Sequence, residues 1–284
     1  MAIGDTDDRG ELVWEGNRER LHIRSRFTAE SLLDKDLIVS TYTTDEVAVL
    51  PDAALVHIGG VSIMDQGVRA LNQLVPEIVE CRRRHRFVLS VGGGARERHA
   101  YAMGIDLGLP TGALADIAWM NCEQNAVMLF NLLARHKAIE VPLLHYEMLP
   151  VYLREGSIPI VMNMPKYFFW EHPPATGRIP PHRPDTGAFL MTEVWSMRDC
   201  IYLKDVDGLY TDNPKTGRNA TFIPEIRVHE LLGMKLPDLP IEREVLETLA
   251  VARNRTSIRI VNGLVPGNLT RALDGQPVGT LITQ

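Results

Sequence analysis

The stretches AALVHIGG at residues 53–60 and FVLSVGGG at residues 87–94 are two short apolar runs that end in consecutive glycines. This pattern is typical of a buried strand followed by a tight turn. Helical periodicity fills the space between them, from about Val68 to Arg84, with Pro76 as a potential kink or break. A strand, a helix and a second strand in this order predict a βαβ unit and therefore a parallel sheet.

The alternation of strands and helices continues to the end of the chain. Further helices are predicted at 96–104, 114–136 and 242–253, and further strands at 141–144, 158–162, 199–203, 258–262 and 278–282. This order predicts an α/β fold with a mostly parallel central sheet that helices cover on both faces. Ligands of such sheets bind at the carboxyl ends of the strands, where the glycine turns lie.

Two regions depart from this pattern. Residues 1–50 are charged and mixed, and we interpret them as an N-terminal extension that packs on the domain or on a neighbouring subunit. Residues 51–284 then form the α/β domain. From Met164 to Asp185 the chain is rich in proline, histidine and aromatic residues, which predicts a long loop, and a long loop in a compact domain is usually functional.

Composition excludes several classes of protein. The formal net charge is −6, which argues against a general nucleic-acid binder but does not exclude an anionic ligand held by backbone dipoles. No apolar run reaches the length of about 18–20 residues that a membrane helix needs, and the acidic N-terminus does not resemble a secretory signal. Cys81, Cys122 and Cys200 lack metal-ligand spacing. These features predict a cytoplasmic protein with reduced thiols.

The glycine turns are candidate oxyanion sites, because glycine lets the backbone approach an anion and direct N–H groups at it. Arg96 follows the triple glycine, and its guanidinium suits contacts with oxyanions. Residues 204–215, KDVDGLYTDNPK, combine a strand end with an Asp-Gly turn and an Asn-Pro loop. Lys204 or Lys215 can neutralise phosphate charge there while the loop encloses a nucleobase. The alternatives are turns without a ligand and solvated surface charges.

Several segments together resemble the amino-acid-kinase superfamily, in particular its uridylate-kinase-like branch. They are the glycine turns, DTGA at 185–188, residues 204–215 and Gly279-Thr280. Within that branch, GGGARERH at 92–99, RIPPHR at 178–183, DVDGLY at 205–210 and IVNGLVPGNLTRAL at 260–273 resemble the molybdenum storage family, especially its β-type subunits. The resemblance covers roughly residues 53–284 and implies a three-layer α/β/α sandwich.

The resemblance also implies functional positions. Nucleotide or phosphate contacts are implied at Gly59, Gly60, Gly92, Gly93, Gly94, Arg96, Lys204, Asp207, Gly208, Tyr210, Asn213, Pro214 and Lys215, and catalytic positions at His57, Lys204 and Asp185. Members of this family form hexameric cages of α- and β-type subunits, which implies that this chain forms a homo- or hetero-oligomer, a hexamer, with or without a second type of subunit. They bind ATP with Mg²⁺ and use its hydrolysis to drive molybdate or tungstate into metal-oxide clusters, for which His172 and His182 are candidate contacts here.

One position departs from the family pattern. The family places a lysine two residues before the first glycine pair, and this chain has His57 there. A histidine is shorter and mostly neutral at pH 7, so it supplies less charge to a transferring phosphoryl group. Three functions therefore stay open: a storage-cage subunit that binds nucleotide and oxo-anion, a kinase of small molecules or nucleoside monophosphates, and a non-catalytic ATP-binding assembly or sensing protein.

Overall fold

The structure, a computed structural model, describes residues 14–15, 18–19, 47–166, 178–217, 220–236 and 238–284. The chain divides into two units, Met1–Val47 and Ala48–Gln284. In the first unit, the described residues form an antiparallel pair of two-residue strands, β1 (Trp14–Glu15) and β2 (Arg18–Glu19). The role of residues 1–50 as a packing extension stays a prediction.

The second unit contains all the other described elements. Its strands are β3 (Ala53–Ile58), β4 (Arg86–Val91), β5 (Ala138–Glu140), β6 (Ile158–Val161), β7 (Asp199–Lys204), β8 (Leu209–Tyr210), β9 (Phe222–Ile223), β10 (Glu225–Arg227), β11 (Ser257–Asn262) and β12 (Thr280–Thr283). Its α-helices are α1 (Val68–Cys81), α2 (Gly94–Asp106), α3 (Thr111–Leu133), α4 (Leu149–Arg154), α5 (Pro184–Val194), α6 (Val228–Met234), α7 (Arg243–Leu249) and α8 (Asn268–Leu273). Short 3₁₀ turns lie at Met64–Gln66, Ala134–His136 and Leu143–Met148.

Eight of these strands form one sheet in the order β10-β12-β11-β7-β3-β4-β6-β5. All neighbouring pairs in it are parallel except β11 and β12. Strands β8 and β9 form a separate antiparallel ribbon. The predicted α/β class and mostly parallel sheet are therefore confirmed, and strands β3, β4 and β7 lie in the middle of the sheet.

The sheet separates two apolar cores. One core contains residues of α1, α2, α3 and α8, and the other contains residues of α4, α5, α6 and α7. Successive side chains of a strand point to opposite faces, so β3 contributes Ala54, Val56 and Ile58 to the first core and Ala53 and Leu55 to the second. This arrangement is the predicted three-layer sandwich.

Some boundaries differ from the sequence prediction. Helix α1 continues through Pro76 without a break, and the predicted strand 141–144 is wrong. The strand in that region is β5, which ends at Glu140, and residues 143–148 form a 3₁₀ turn. Pro142 lacks a backbone N–H and so cannot continue the strand ladder. Among the described helices, none is both long and apolar enough to cross a bilayer.

Candidate functional site

Three polar side chains lie at the carboxyl ends of the three central strands. His57 of β3 is paired in register with Ser90 of β4, and Lys204 is the last residue of β7. Because side chains alternate along a strand, all three point to the sheet face that α5 covers. They are buried, with exposed fractions of 1% for His57, 0% for Ser90 and 8% for Lys204. Buried polar groups of this kind need partners.

Lys204 and His57 share one partner, Asp185, which is the second residue of α5. Lys204 Nζ lies 2.8 Å from both carboxylate oxygens, and His57 Nε2 lies 3.0 Å from Oδ1. The backbone N–H of Glu242 donates to Oδ2 at 3.3 Å. The carboxylate is therefore in contact with three donor groups, namely the ammonium of Lys204, the imidazole of His57 and the backbone N–H of Glu242. Among the described residues, Asp185 is the only hydrogen-bond partner of Lys204 Nζ, so the ammonium group keeps donor capacity for a ligand.

The charge state of this cluster follows from its burial and its partners. Burial by itself would raise the pKa of Asp185, but the charge of Lys204 and the hydrogen bond from His57 outweigh it and hold that pKa well below its usual range. Burial lowers the pKa of His57, and the hydrogen bond to Asp185 only partly opposes the shift. At neutral pH the cluster therefore contains a carboxylate, an ammonium group and a neutral imidazole, with no net charge.

Glu242 joins the start of α5 to the segment before α7. Its carboxylate accepts from the backbone N–H groups of Arg183, Asp185 and Thr186 at 3.2, 3.1 and 3.0 Å, and from the Thr186 hydroxyl at 2.6 Å. Burial and the nearby charge of Asp185 raise the pKa of Glu242 to about 7, although Thr186 and Arg183 oppose the shift. Glu242 and Asp185 each accept from the other's backbone N–H, so the two carboxylates are held as one unit.

The two glycine turns touch each other at the cleft. A Cβ atom on Gly60 would lie 2.3 Å from the backbone N of Gly94 and 2.8 Å from the carbonyl carbon of Gly92, so no larger residue fits at position 60 without moving the backbone. Gly94 has φ = 77°, a left-handed conformation that favours glycine. Within the described ranges, the N–H groups of Gly60 and Gly94 have no acceptor. Two neighbouring free N–H groups at a turn suit an oxyanion.

Side chains hold the triple-glycine turn in place. The buried Asn125 of α3 donates from Nδ2 to the carbonyl of Gly92 at 2.6 Å and accepts a hydrogen bond from the guanidinium of Arg96. Glu97 Oε2 accepts from the N–H of Gly93 at 3.1 Å. The guanidinium of Arg96 is therefore engaged with α3, whereas Arg98, two residues later, lines the cleft together with Arg183.

The loop after β7 is tied to its surroundings by polar contacts. Lys215 pairs with Asp205, and Asn213 Nδ2 donates to Asp238 at 2.7 Å. Asp207 accepts from Asn262 Nδ2 at 2.8 Å. The loop is thereby fixed against the end of β11 and against the segment before α7.

These groups surround one cleft of about 820 Å³, a size common for small-molecule sites. Of the residues predicted for the site, the cleft is lined by His57, Gly60, Gly92, Gly93, Gly94, Asp185, Lys204, Gly208, Tyr210, Asn213, Pro214 and Lys215. Gly59, Arg96 and Asp207 do not line the cleft: Arg96 and Asp207 are exposed, and Gly59 N donates to the carbonyl of Leu203 at 3.0 Å. Most residues predicted from separate segments thus converge on one cavity.

Comparisons with known proteins agree with this fold. Residues 53–262 match the model of the amino acid kinase family. The chain belongs to this family. It is 44% identical to the molybdenum storage protein subunit beta of Azotobacter vinelandii over 253 residues, which cover 89% of this chain and 94% of the relative. It is also 27% identical to a uridylate kinase of Hyperthermus butylicus over 70% of this chain and 83% of that enzyme.

Solved structures of two kinases share the fold. The uridylate kinase of Archaeoglobus fulgidus superposes with a TM-score of 0.63 at 20% identity, over 81% of this chain and 99% of that one. An isopentenyl phosphate kinase superposes with a TM-score of 0.61 at 19% identity, over 81% of this chain and all of that one. The recognised resemblance and the fold class are thus confirmed.

The structure describes only one of the two histidines that were predicted to contact a metal-oxide cluster. His172 lies outside the described residues. His182 is exposed, just before α5, and does not line the cleft. Among the described residues, no cluster of three His, Cys, Asp or Glu side chains has the geometry to hold a metal ion. The predicted contacts with a metal-oxide cluster therefore remain predictions.

Sequence reasoning missed Ser90 and Glu242. A signal for Ser90 was present, because His57 and Ser90 stand at the same offset, two residues before the first glycine of each turn. Equal offsets on adjacent parallel strands place two side chains side by side. Glu242 had no such signal, because it lies 57 residues from Asp185 and meets it only through the packing of α7 on α5.

Proposed function

We propose that the chain is a subunit of a molybdenum-storage-type assembly and that its cleft binds a nucleotide together with a tetrahedral oxo-anion. The observation that carries the proposal is the 44% identity to the storage subunit from Azotobacter vinelandii, which extends over 94% of that relative. A match of this extent includes the whole cleft and is much stronger than the similarity to uridylate kinases.

The chemistry of the cleft supports anion binding. Gly60 and Gly94 offer two backbone N–H groups, and Lys204, which is bound among the described residues only to Asp185, keeps donor capacity for a ligand. Phosphate and molybdate are both tetrahedral oxyanions, so the same donors suit either one. Phosphoryl chemistry depends mainly on positioning and charge neutralisation, which these groups can supply.

Other residues of the cleft are suited to contact the nucleobase and Mg²⁺. Tyr210, Asn213 and Pro214 form an apolar and amide-bearing wall that suits a nucleobase. Mg²⁺ that arrives with nucleotide phosphates needs only one or two protein carboxylates, so the lack of a three-ligand cluster among the described residues is compatible with it. Asp212 and Asp238 line the cleft and are the carboxylates we propose for this role.

We further propose that the assembly is cytoplasmic, contains an α-type partner subunit and is hexameric. The support is that the Azotobacter relative is a β subunit of a storage protein, a name that implies at least one other subunit type. Mass measurement on the native assembly, with and without a co-expressed α-type subunit, tests this point.

The storage proposal is tested by growing cells with molybdate, purifying the undenatured assembly, and measuring molybdenum, tungsten and bound nucleotide. We expect molybdenum well above the level of a control protein purified in parallel, together with ATP or ADP. Metal at background under these conditions would contradict storage. A Lys204→Met variant should retain less nucleotide than the parent.

A kinase of nucleoside monophosphates or other small molecules is the second candidate. The uridylate kinase relatives favour it, since one of them matches 70% of this chain. His57, hydrogen-bonded to Asp185 where the family pattern has a lysine, weighs against it. Transfer of labelled γ-phosphate to UMP or to any member of a metabolite panel would establish this activity.

The third candidate is an ATP-binding protein without turnover. The neutral cluster around Asp185 favours it, because His57 adds no charge and Lys204 is shared with a carboxylate. Nucleotide binding without hydrolysis in the parent protein would support this candidate. ATPase activity gained by His57→Lys would show that the family lysine was the missing group.

A further inference from the structure

Ser90 lies directly behind His57 in the buried cluster. Its Oγ is 2.8 Å from His57 Nδ1, while His57 Nε2 is 3.0 Å from Asp185 Oδ1. A carboxylate only accepts hydrogen bonds, so Nε2 of the imidazole carries the proton that it donates to Asp185. In the neutral imidazole Nδ1 then accepts, and the Ser90 hydroxyl is its donor.

The surroundings of the imidazole keep it neutral at physiological pH. It is packed against Ser90 of β4, the ring of Tyr202 of β7 at 5.8 Å, Asp185 of α5 and, through Asp185, Lys204. Burial lowers the pKa of His57 in spite of the carboxylate beside it. His57 therefore contributes a directed hydrogen bond to the site and no charge.

The order serine, histidine, aspartate is also found in hydrolases, but a nucleophilic role does not fit here. Ser90 has an exposed fraction of 0% and does not line the cleft, so its Oγ cannot reach a substrate. A nucleophile must lie within reach of the reacting atom. The Ser90 hydroxyl can therefore affect the site only through its hydrogen bond to the imidazole of His57.

We infer that Ser90 and His57 are positioning residues for Lys204. Ser90 fixes the imidazole, the imidazole fixes the carboxylate of Asp185, and the carboxylate fixes the ammonium group of Lys204, which keeps donor capacity for a ligand oxygen. The inference rests on the proposed function and deepens it. It states that Ser90 and His57 hold in place the lysine that binds the oxyanion, and that they do so without having to touch the ligand.

The test uses four variants of the full chain in its native assembly. His57→Gln keeps one N–H donor for Asp185 and one acceptor for Ser90, whereas His57→Met keeps neither. Ser90→Ala removes only the hydroxyl behind the imidazole. Thr192→Ala is the matched control, because Thr192 is a fully buried hydroxyl that bonds the carbonyl of Ala188 within α5, one turn or more away from the cluster. Melting temperature establishes that each variant is folded.

Two readouts are measured. In ¹⁵N-labelled protein, we expect His57 to be protonated at Nε2 and not at Nδ1, and we expect Ser90→Ala to move the Nδ1 resonance. Calorimetric titration with MgATP should show affinity reduced about tenfold in His57→Met, about threefold in Ser90→Ala, and within about twofold of the parent in His57→Gln, as expected for the loss of one or two hydrogen bonds. Thr192→Ala should change neither readout.

Two results would overturn the inference. One is an Nδ1 resonance that does not move in Ser90→Ala, and the other is an equal loss of affinity in His57→Gln and His57→Met. If the parent protein binds no nucleotide, the proposed function fails, but the resonance of Nδ1 still decides whether Ser90 holds the imidazole.

Discussion

At the scale of single residues, the buried pair of Asp185 and Lys204 dominates the site. Both side chains are about one-tenth exposed, and the carboxylate is in contact with three donor groups. Removing one partner of such a pair leaves an uncompensated charge in a poorly solvated place. The pair thus has consequences for stability as well as for ligand binding.

Lys204→Met is expected to lower the free energy of unfolding by about 3–5 kcal/mol, because Asp185 then remains buried without its cation. Urea unfolding at pH 7 measures the change. Lys215→Met is the matched control, since the pair of Lys215 with Asp205 is much more exposed and should contribute less than about 1 kcal/mol. Equal losses in the two variants would contradict the importance of burial.

Glu242 predicts a pH dependence of stability. Its pKa in the folded chain is about 7, above the ordinary value of 4.5, so the folded state holds this proton more tightly. The stability it contributes is fully present below pH 4.5 and is lost as the pH rises through about 7.

The difference in unfolding free energy between the parent and Glu242→Gln should therefore fall by ~3 kcal/mol from pH 4.5 to pH 8. His57 has the opposite trend, since its lowered pKa adds stability as the pH rises, but that contribution cancels in the difference. Glu247→Gln, which changes an exposed carboxylate on α7, is the control. A difference that stays constant with pH would contradict the assignment.

At the scale of elements, the strand-and-glycine units could be predicted from the sequence and their contacts could not. Strand β3 has the predicted limits, β4 begins one residue earlier, and both end at the predicted glycines, because apolar runs and glycines are local signals. Helices α4, α5, α6 and α8 escaped prediction, since 6–11 residues hold too few helical turns to show a clear period. The link from Glu242 to α5 is a tertiary contact that no local pattern encodes.

The contact between the two turns predicts a specific sensitivity. Gly60→Ala should destabilise the chain and weaken nucleotide binding strongly, because its Cβ would overlap the backbone of Gly92 and Gly94. Gly233→Ala in α6 is the control, since nothing lies within 4 Å of the added methyl group, and it should stabilise the chain by about 0.5–1 kcal/mol. Thermal unfolding and calorimetry measure both effects, and a neutral Gly60→Ala would disprove the close approach.

At the scale of the whole molecule, the sheet divides the described domain into a protected centre and weaker edges. Strands β3, β4 and β7 have neighbours on both sides and apolar cores on both faces. Strands β5 and β10 lie at the two edges of the sheet and have three residues each. Regions with few buried contacts open more readily than the core.

Hydrogen exchange followed by mass spectrometry should reflect this division. We expect the slowest exchange in peptides from β3, β4 and β7, and the fastest sheet exchange in β5 and β10. Added MgATP should slow exchange in residues 59–62 and 92–95, at the turns that face the cleft. Uniform protection across all eight strands would contradict the division.

The N–H groups of Gly60 and Gly94 belong to the main chain. Side-chain mutagenesis therefore cannot measure what they contribute to ligand binding. No side-chain deletion removes them, and any larger residue at position 60 disturbs the turns before it tests the donors. An ester in place of the amide at residue 60 or 94, introduced by chemical ligation, would keep every side chain and delete one N–H. Such single-atom replacements measure the contribution to binding of a site that consists only of backbone atoms.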